Sequence, residues 1–274
     1  MRTLFARIIV VFARLATFPF FGPIRRADAL QRAGTRLLEG TATEVDTKEG
    51  RLFFAPDLRL THAQAAGFQA QEPDTVGWID AFPHDAVFWD IGANIGTFAL
   101  YAGLKPAVRV LAFEPAASSF AVLNRNIELN SLDRITAYCI AFAGDTRLAS
   151  LNMASTSPGA SMHGFGTERN QFGGAIDVNF RQGAVGFSID DFVTMFSPLL
   201  PTHVKIDVDG IEADILRGGR RTLSAQSVRS MIVEVERDLN TPHNREILGL
   251  MAEFGFTARP KASPGLLNVI FDRN

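Results

Sequence analysis

Between residues 87 and 254 the chain alternates short, near-continuous apolar runs with stretches of helical spacing, and no other feature limits its fold as strongly. The runs over 87–91, 109–113, 135–142, 203–208 and 228–235 predict strands; 95–104, 118–130, 211–223 and 244–254 predict helices. Runs such as VFW, VLAF and MIVEV suit strands covered on both faces. Strands separated by helices of this length predict an α/β fold built on a doubly wound, mostly parallel sheet. Ser188-Ile189-Asp190-Asp191 has the form of a capping box and opens a short helix ending at Phe196. The stretches 256–260 and 267–271 predict a closing hairpin. With 274 residues, 47% of them hydrophobic, the chain has the material for one large core of this kind and a small appendage.

That appendage is N-terminal. Residues 1–71 predict an amphipathic helix and a small hairpin extension; 72–274 predict the main domain, with an insertion over 150–187. In residues 1–23, Arg7 and Arg14 fall on one side of a helix, and Leu4, Phe5, Ile8, Ile9, Phe12 and Leu15 cover the opposite arc. A membrane span needs about 20 consecutive apolar residues. Arg14, Pro19 and Pro23 interrupt this run, and no small-x-small site marks a cleaved secretory signal. The helix suits either peripheral contact with a membrane surface or docking on protein. Residues 38–56 hold two alternating runs around Lys48-Glu49-Gly50, the form of a hairpin, and 72–82 has helical spacing behind an acidic first turn. The insertion is rich in glycine and holds one clean alternation, IDVNFR over 176–181, read as a strand. Such a segment serves as a lid or binding loop, or is a plain solvent loop.

Charge and cysteine content exclude several classes. With 27 Lys+Arg against 29 Asp+Glu, the chain has no basic footprint for nucleic acid. A single cysteine, Cys139, excludes a disulfide framework and any multi-cysteine metal site; its strand-like surroundings predict a small buried hydrophobe. The expected location is cytoplasmic, with peripheral membrane contact if the first helix lies on lipid. Nothing in the composition bears on oligomeric state.

The main chemical signal is Asp90-Ile-Gly92-Ala93-Asn94-Ile-Gly96, which follows a predicted strand and opens a predicted helix. Glycines here permit a sharp turn and close ligand approach, and a helix start offers N–H groups to an anion. The spacing G-x-x-x-G differs from the G-x-G-x-x-G of dinucleotide sites, which disfavours a nicotinamide oxidoreductase, and no Lys-Ser/Thr pair follows to make a P-loop. Glu114 ends the next strand, 22 residues after Gly92. A carboxylate about 20 residues on, at the tip of the second strand, can hold ribose hydroxyls.

FWDIGANIGTFAL, LAFEP, LNRNIELN, VKIDVDGIEADILRGG and MIVEVE, in this order over residues 72–236, resemble the FkbM family of S-adenosylmethionine-dependent methyltransferases. The resemblance implies a class I methyltransferase (Rossmann-like) fold: a seven-stranded sheet with an antiparallel last strand and a donor pocket at the carboxyl ends of the strands. It implies that Asp90 and the turn of Gly92, Ala93, Asn94 and Gly96 approach the methionine part of S-adenosylmethionine. Glu114 would then hold the ribose, and Ala141 and Phe142, ending the third strand, would meet the adenine. Asp209 stands where the family more often has Glu.

By the same resemblance, Asp207 lies at the tip of the fourth strand, beside the transferred methyl, where it attracts the sulfonium or else simply pairs with Lys205. Candidates for acceptor chemistry are Asp207, Asp209 and His243, with Glu212, Glu234 and Glu236 nearby in sequence. A pair or trio of these carboxylates would suit Mg2+, which would acidify a hydroxyl, but the sequence commits to no metal; Glu212 equally suits a helix N-terminus. The remaining histidines show no ligand spacing. The reading is an O-methyltransferase acting on a hydroxyl of a sugar, glycolipid or polyketide-like small-molecule acceptor. The alternative is a donor-binding protein without transfer activity, a structural partner in a glycan or lipid assembly.

Overall fold

The computed structural model describes residues 42–55, 59–168, 174–235, 240–259 and 268–274. The amphipathic helix expected over 1–23 and Glu236 lie outside them. Strands β1 (Thr43–Thr47) and β2 (Gly50–Phe54) form the expected antiparallel hairpin, turning at Lys48-Glu49. Helix α1 (Arg59–Gln71), whose spacing gives no clear element in the sequence, follows; of its side chains Thr61, Ala65 and Phe68 are buried, spaced four and three apart on one face. Then come α2 (Pro73–Asp80), β3 (Val87–Ile91), α3 (Thr97–Leu104), β4 (Arg109–Phe113), α4 (Ala117–Leu129) and β5 (Ile135–Tyr138). A second group comprises β6 (Ala141–Phe142), β7 (Arg147–Met153), β8 (His163–Phe165), β9 (Phe180–Phe187) and α5 (Ile189–Phe196). The chain continues through β10 (His203–Ile206), α6 (Glu212–Gly218), α7 (Arg220–Leu223), β11 (Ser230–Glu234), α8 (Pro242–Glu253), β12 (Phe256–Ala258) and β13 (Asn268–Arg273).

Seven strands make one mixed sheet in the order β12-β13-β11-β10-β3-β4-β5. The pairs from β11 through β5 are parallel, and β13, last in the chain, lies antiparallel between β11 and β12. Alternation divides the apolar side chains between two cores. Phe88, Val110 and Ala112 pack on one face with the hairpin, α1 and α3, through Leu52, Phe54, Phe68 and Leu100. Trp89, Ile91, Leu111, Phe113, Val204 and Ile206 pack on the other with α5, α6 and α8. Among the described residues no helix is long and apolar enough to cross a membrane.

The structure corrects four expectations. The apolar run 135–142 is two strands: β5 leaves the main sheet at Tyr138, and Ala141-Phe142 pairs parallel with Gly186-Phe187 of β9 in a separate four-stranded sheet, β6-β9-β7-β8. Both pieces are largely apolar, so the break leaves no trace in hydropathy. Cys139 lies in that break and is exposed rather than buried. In the insertion the strand begins at Phe180 instead of Ile176 and runs through Gly183 and Gly186; Gly186 is required because the Phe165 ring lies where a Cβ would stand. The helix expected over 211–223 divides at Gly218-Gly219, where a side chain on Gly218 would meet the Ala143 carbonyl.

Candidate active site

The Gly-rich turn is shaped by the end of β10. Gly92 has φ +84°, and a Cβ there would run into the backbone carbonyl of Asp207. The N–H groups of Gly92 and Ala93 both donate to the Phe113 carbonyl at 3.0 Å, and that of Gly96 donates to the Ala93 carbonyl at 2.8 Å. Asn94, with φ +51°, donates its N–H to Glu114 Oε2 at 2.9 Å. These donors are therefore spent on holding the turn rather than presented to an anion. Gly96, at φ +92°, caps α3 and leaves room for Leu123 and Leu100; it does not line the cavity below.

A cavity opens at the carboxyl ends of β3, β4 and β10, lined by Asp90, Gly92, Ala93, Asn94, Glu114, Ala141, Phe142, Asp207 and Asp209, together with Gln64, Glu72, His163 and Lys205. Glu114 is 6% exposed; Oε1 accepts the Ala116 N–H at 2.7 Å while Oε2 holds Asn94. Burial pushes its carboxyl up to about 7, against the pull of those two N–H groups. Phe142 closes this end, packed on Phe113 at 4.7 Å and parallel to Trp89 at 6.0 Å.

The opposite wall carries a row of charge. Lys205 sits beside Asp90 in the β10–β3 register, is 2% exposed, and lies 5.0 Å from the centre of the Phe98 ring. Its Nζ pairs with Asp207 Oδ2. Burial favours protonation of Asp207, but Lys205 and a hydrogen bond from Glu234 outweigh it and hold the carboxyl below the ordinary range. Glu234, on the neighbouring strand, is pushed up to about 10 by burial and by Asp207, so it is the neutral partner of the pair. Glu72 Oε2 accepts from Thr75 Oγ1 at 2.9 Å and from Asn268 Nδ2 at 2.8 Å; burial raises its carboxyl. Asp90 is 1% exposed and neither carboxylate oxygen has a partner in full hydrogen-bond geometry; the Ala99 N–H nearby favours its ionised form. Burial pushes Asp90 up to about 6, against the attraction of Lys205.

Asp209 (φ +48°) accepts the His163 N–H through Oδ2 at 2.9 Å and is pushed up to about 6 by burial. The His163 imidazole, carried in by β8, has both ring nitrogens buried without a partner, and burial lowers its pKa. His243 stands elsewhere: its Nε2 lies 3.1 Å from Oε2 of the buried Glu212, and it does not line the cavity. Glu212 Oε1 in turn accepts the N–H groups of Gly210 at 3.0 Å and Val208 at 3.3 Å, bracing the loop that carries Asp207 and Asp209.

Glu72, Lys205 and His163 were not anticipated as cavity residues. A lysine inside an apolar strand run was the available signal for Lys205. Nothing local distinguishes His163 or Glu72. Among the described residues no group of three or more His, Cys, Asp or Glu is arranged to hold a metal ion.

Residues 90–258 match the Methyltransferase FkbM domain, and the chain belongs to that family. It is 32% identical over 149 residues to Methyltransferase 1 of Beauveria bassiana, covering 50% of this chain and 59% of that protein. It is 29% identical over 170 residues to the hexuronic acid methyltransferase AglP of Haloferax volcanii, covering 62% of each. A 49-residue stretch, 18% of each chain, is 53% identical to the 31-O-demethyl-FK506 methyltransferase FkbM of Streptomyces tacrolimicus. The chain thus spans about three fifths of the first two relatives.

Proposed function

We propose that this chain is a class I, S-adenosylmethionine-dependent methyltransferase that methylates a hydroxyl of a sugar, glycolipid or polyketide-like acceptor. The observation that carries the reading is Glu114: a buried carboxylate at the tip of the second parallel strand, pinned by two backbone N–H groups, with lone pairs left for a diol. The antiparallel position of β13 within the seven-stranded sheet supports the class I assignment. Asp90, Asn94, Gln64 and His163 carry buried polar atoms without partners on the cavity wall, and a polar ligand would satisfy them. The names of two relatives, a hexuronic acid methyltransferase and a 31-O-demethyl-FK506 methyltransferase, support a hydroxylated acceptor.

In this reading Glu114 holds the ribose, Ala141 and Phe142 cover the adenine, and Asp90 and the turn of Gly92, Ala93 and Asn94 flank the methionine part. Gly96 acts at one remove, by letting α3 pack. S-adenosylmethionine supplies an electrophilic methyl on a sulfonium. The chain's task is then mostly positioning. Asp207, kept ionised by Lys205 and Glu234, orients the acceptor hydroxyl. Asp209 takes the hydroxyl proton at its carboxylate, near the pH where such exchange is efficient. His243 contributes by bracing Glu212 and the loop beneath Asp209.

Calorimetry tests the first half: S-adenosylmethionine and S-adenosylhomocysteine should both bind in the micromolar range. Heat from NAD and none from either compound overturns the reading. A donor-dependent transfer screen over free and lipid-linked glycans tests the second half, with a methylated product by mass spectrometry as the expected result.

A further inference from the structure

The insertion brings into the cavity one group that donor binding does not use. Alternation along β8 and the residues just before it puts Ser161, His163 and Phe165 on the cavity wall, while Met162 and Gly164 do not line it. Antiparallel pairing with β7, Met153 against His163, fixes that register. The His163 backbone N–H donates to Asp209 Oδ2 at 2.9 Å, which fastens this residue to the carboxylate that takes the hydroxyl proton. Both ring nitrogens of His163 are buried and neither has a partner. Two other enclosed histidines differ: His203 Nδ1 lies 2.8 Å from Thr202 Oγ1, and His243 Nε2 lies 3.1 Å from Glu212 Oε2. Burial keeps the His163 imidazole neutral near pH 7, with one N–H donor and one bare nitrogen. Leaving both unmet is costly, and a ligand that can donate and accept removes the cost.

Charge narrows the ligand further. Glu72, Asp90, Glu114, Asp207 and Asp209 line the cavity, and Lys205, the one cationic side chain on its wall among the described residues, is committed to Asp207. A carboxylate on the ring being methylated would meet like charge, with no free cation to receive it. A lone hydroxyl given to Asp209 would leave the imidazole unmet. Hydroxyls on neighbouring carbons serve both, because each can donate and accept.

Resting on the O-methyltransferase reading above, we propose that His163 is an acceptor-binding residue that selects an uncharged sugar ring: one hydroxyl goes to Asp209, and the hydroxyl on the next carbon hydrogen-bonds the imidazole. The insertion then sets the acceptor class, while β3, β4 and β6 hold the donor. Asp209 is bound by the main chain of His163, so a change of the side chain leaves that bond in place. Acceptor selection and proton removal are therefore separable.

Heteronuclear NMR on the full chain, labelled at its five histidines, tests this. The His163 ring signals are those lost in His163→Gln. The chain is saturated with S-adenosylhomocysteine and titrated separately with the methyl glycosides of D-glucose, D-mannose and D-galactose, with D-glucuronate and with cyclohexanol. At least one neutral glycoside should move the His163 signals saturably and bind about tenfold more tightly than glucuronate or cyclohexanol. His163→Ala should weaken that glycoside about tenfold, and His163→Gln, whose amide also offers a donor and an acceptor, should recover most of the loss. Affinity for S-adenosylhomocysteine should stay within about twofold in both variants, reporting an intact fold. The inference is overturned, and donor binding stands, if no glycoside moves the His163 signals or if glucuronate or cyclohexanol binds as tightly. It is equally overturned if S-adenosylhomocysteine alone moves the signals and the glycosides add nothing, or if His163→Ala leaves glycoside affinity unchanged. Failure of S-adenosylhomocysteine to bind overturns both readings.

Discussion

Two carboxylates of the cavity, the buried Glu114 and the half-buried Asp207, differ in how they are held, and substitutions should separate them. Glu114 has both oxygens on backbone N–H groups, so its removal takes away a pre-aimed ligand for the ribose. Glu114→Ala should weaken binding of S-adenosylhomocysteine by about 1.5–3 kcal/mol, read by calorimetry; an unchanged affinity would mean that Glu114 does not hold the ribose. Asp207 is tied instead to Lys205, which is buried and depends on it. Asp207→Asn should lower kcat more than donor affinity. It should also lower stability by about 1–3 kcal/mol, because Lys205 loses its paired charge. Unfolding curves without any loss of turnover would identify the ion pair as purely structural. His203 shows how context decides a histidine's role: it packs tilted against Phe82 with ring centres 4.2 Å apart, burial lowers it to about 4, and it does not line the cavity.

Helices and strands are joined here by a few side chains with no substitute. Asn126 of α4 and Asn130, which caps the helix one turn on, pair with the hairpin: Asn126 Oδ1 accepts the Ala55 N–H at 2.7 Å, and Asn130 exchanges bonds with the Phe53 N–H and carbonyl at 2.8 and 2.6 Å. Asn126 Nδ2 also reaches the Ile95 carbonyl at 2.9 Å, so one buried residue ties the hairpin to the Gly-rich turn. Asn126→Ala should cost about 2–4 kcal/mol in urea unfolding, since two buried backbone groups are left unpaired. Glycines divide by what surrounds them. Gly92→Ala combines a left-handed φ with a clash against the Asp207 carbonyl and should cost about 3 kcal/mol or more. Gly249→Ala, within α8 and with open space around it, should stabilise by about 0.5–1 kcal/mol. Equal effects of the two would refute the packing argument for Gly92.

For the molecule as a whole, the cavity opposes stability. Asp90, Glu114 and Asp209 have folded pKa values near 6, 7 and 6, above the ordinary carboxylate range. Groups raised on folding contribute stability that is full below about pH 4 and is lost as pH rises through 6–7. His203, lowered to about 4, acts in the opposite sense: its contribution is present above about pH 6.5 and is lost as pH falls towards 4. The raised carboxyls, with Glu72 and Glu234 acting in the same sense, outweigh the lowered His203 and His163, so the ligand-free protein should be less stable at pH 8 than at pH 5.5, on the order of 2–4 kcal/mol, read from urea midpoints. Asp90→Asn should recover part of that loss while impairing donor recognition. A ligand-free protein that gains stability from pH 5.5 to 8 would contradict the burial of these charges.

The sequence by itself determined what adjacent residues can encode. The β3–α3 and β4–α4 alternation, the Ser188 Oγ acceptance of the Asp191 N–H at 3.1 Å, and the carboxylates at the tips of β3 and β4 all follow from local spacing and capping chemistry. What it could not settle depends on partners far away in the chain. The end of β5 at Tyr138 is decided by β9, whose pairing with Ala141-Phe142 joins residues about 45 apart. Asp90 becomes uncompensated only because register sets it beside a Lys205 that turns to Asp207. His163 reaches the cavity, and His243 the bracing Glu212, because β8 and α8 pack where they do. Periodicity reports which face of an element is buried. Which charge meets which across that face is fixed by register and packing, and these exist only once the whole chain has folded.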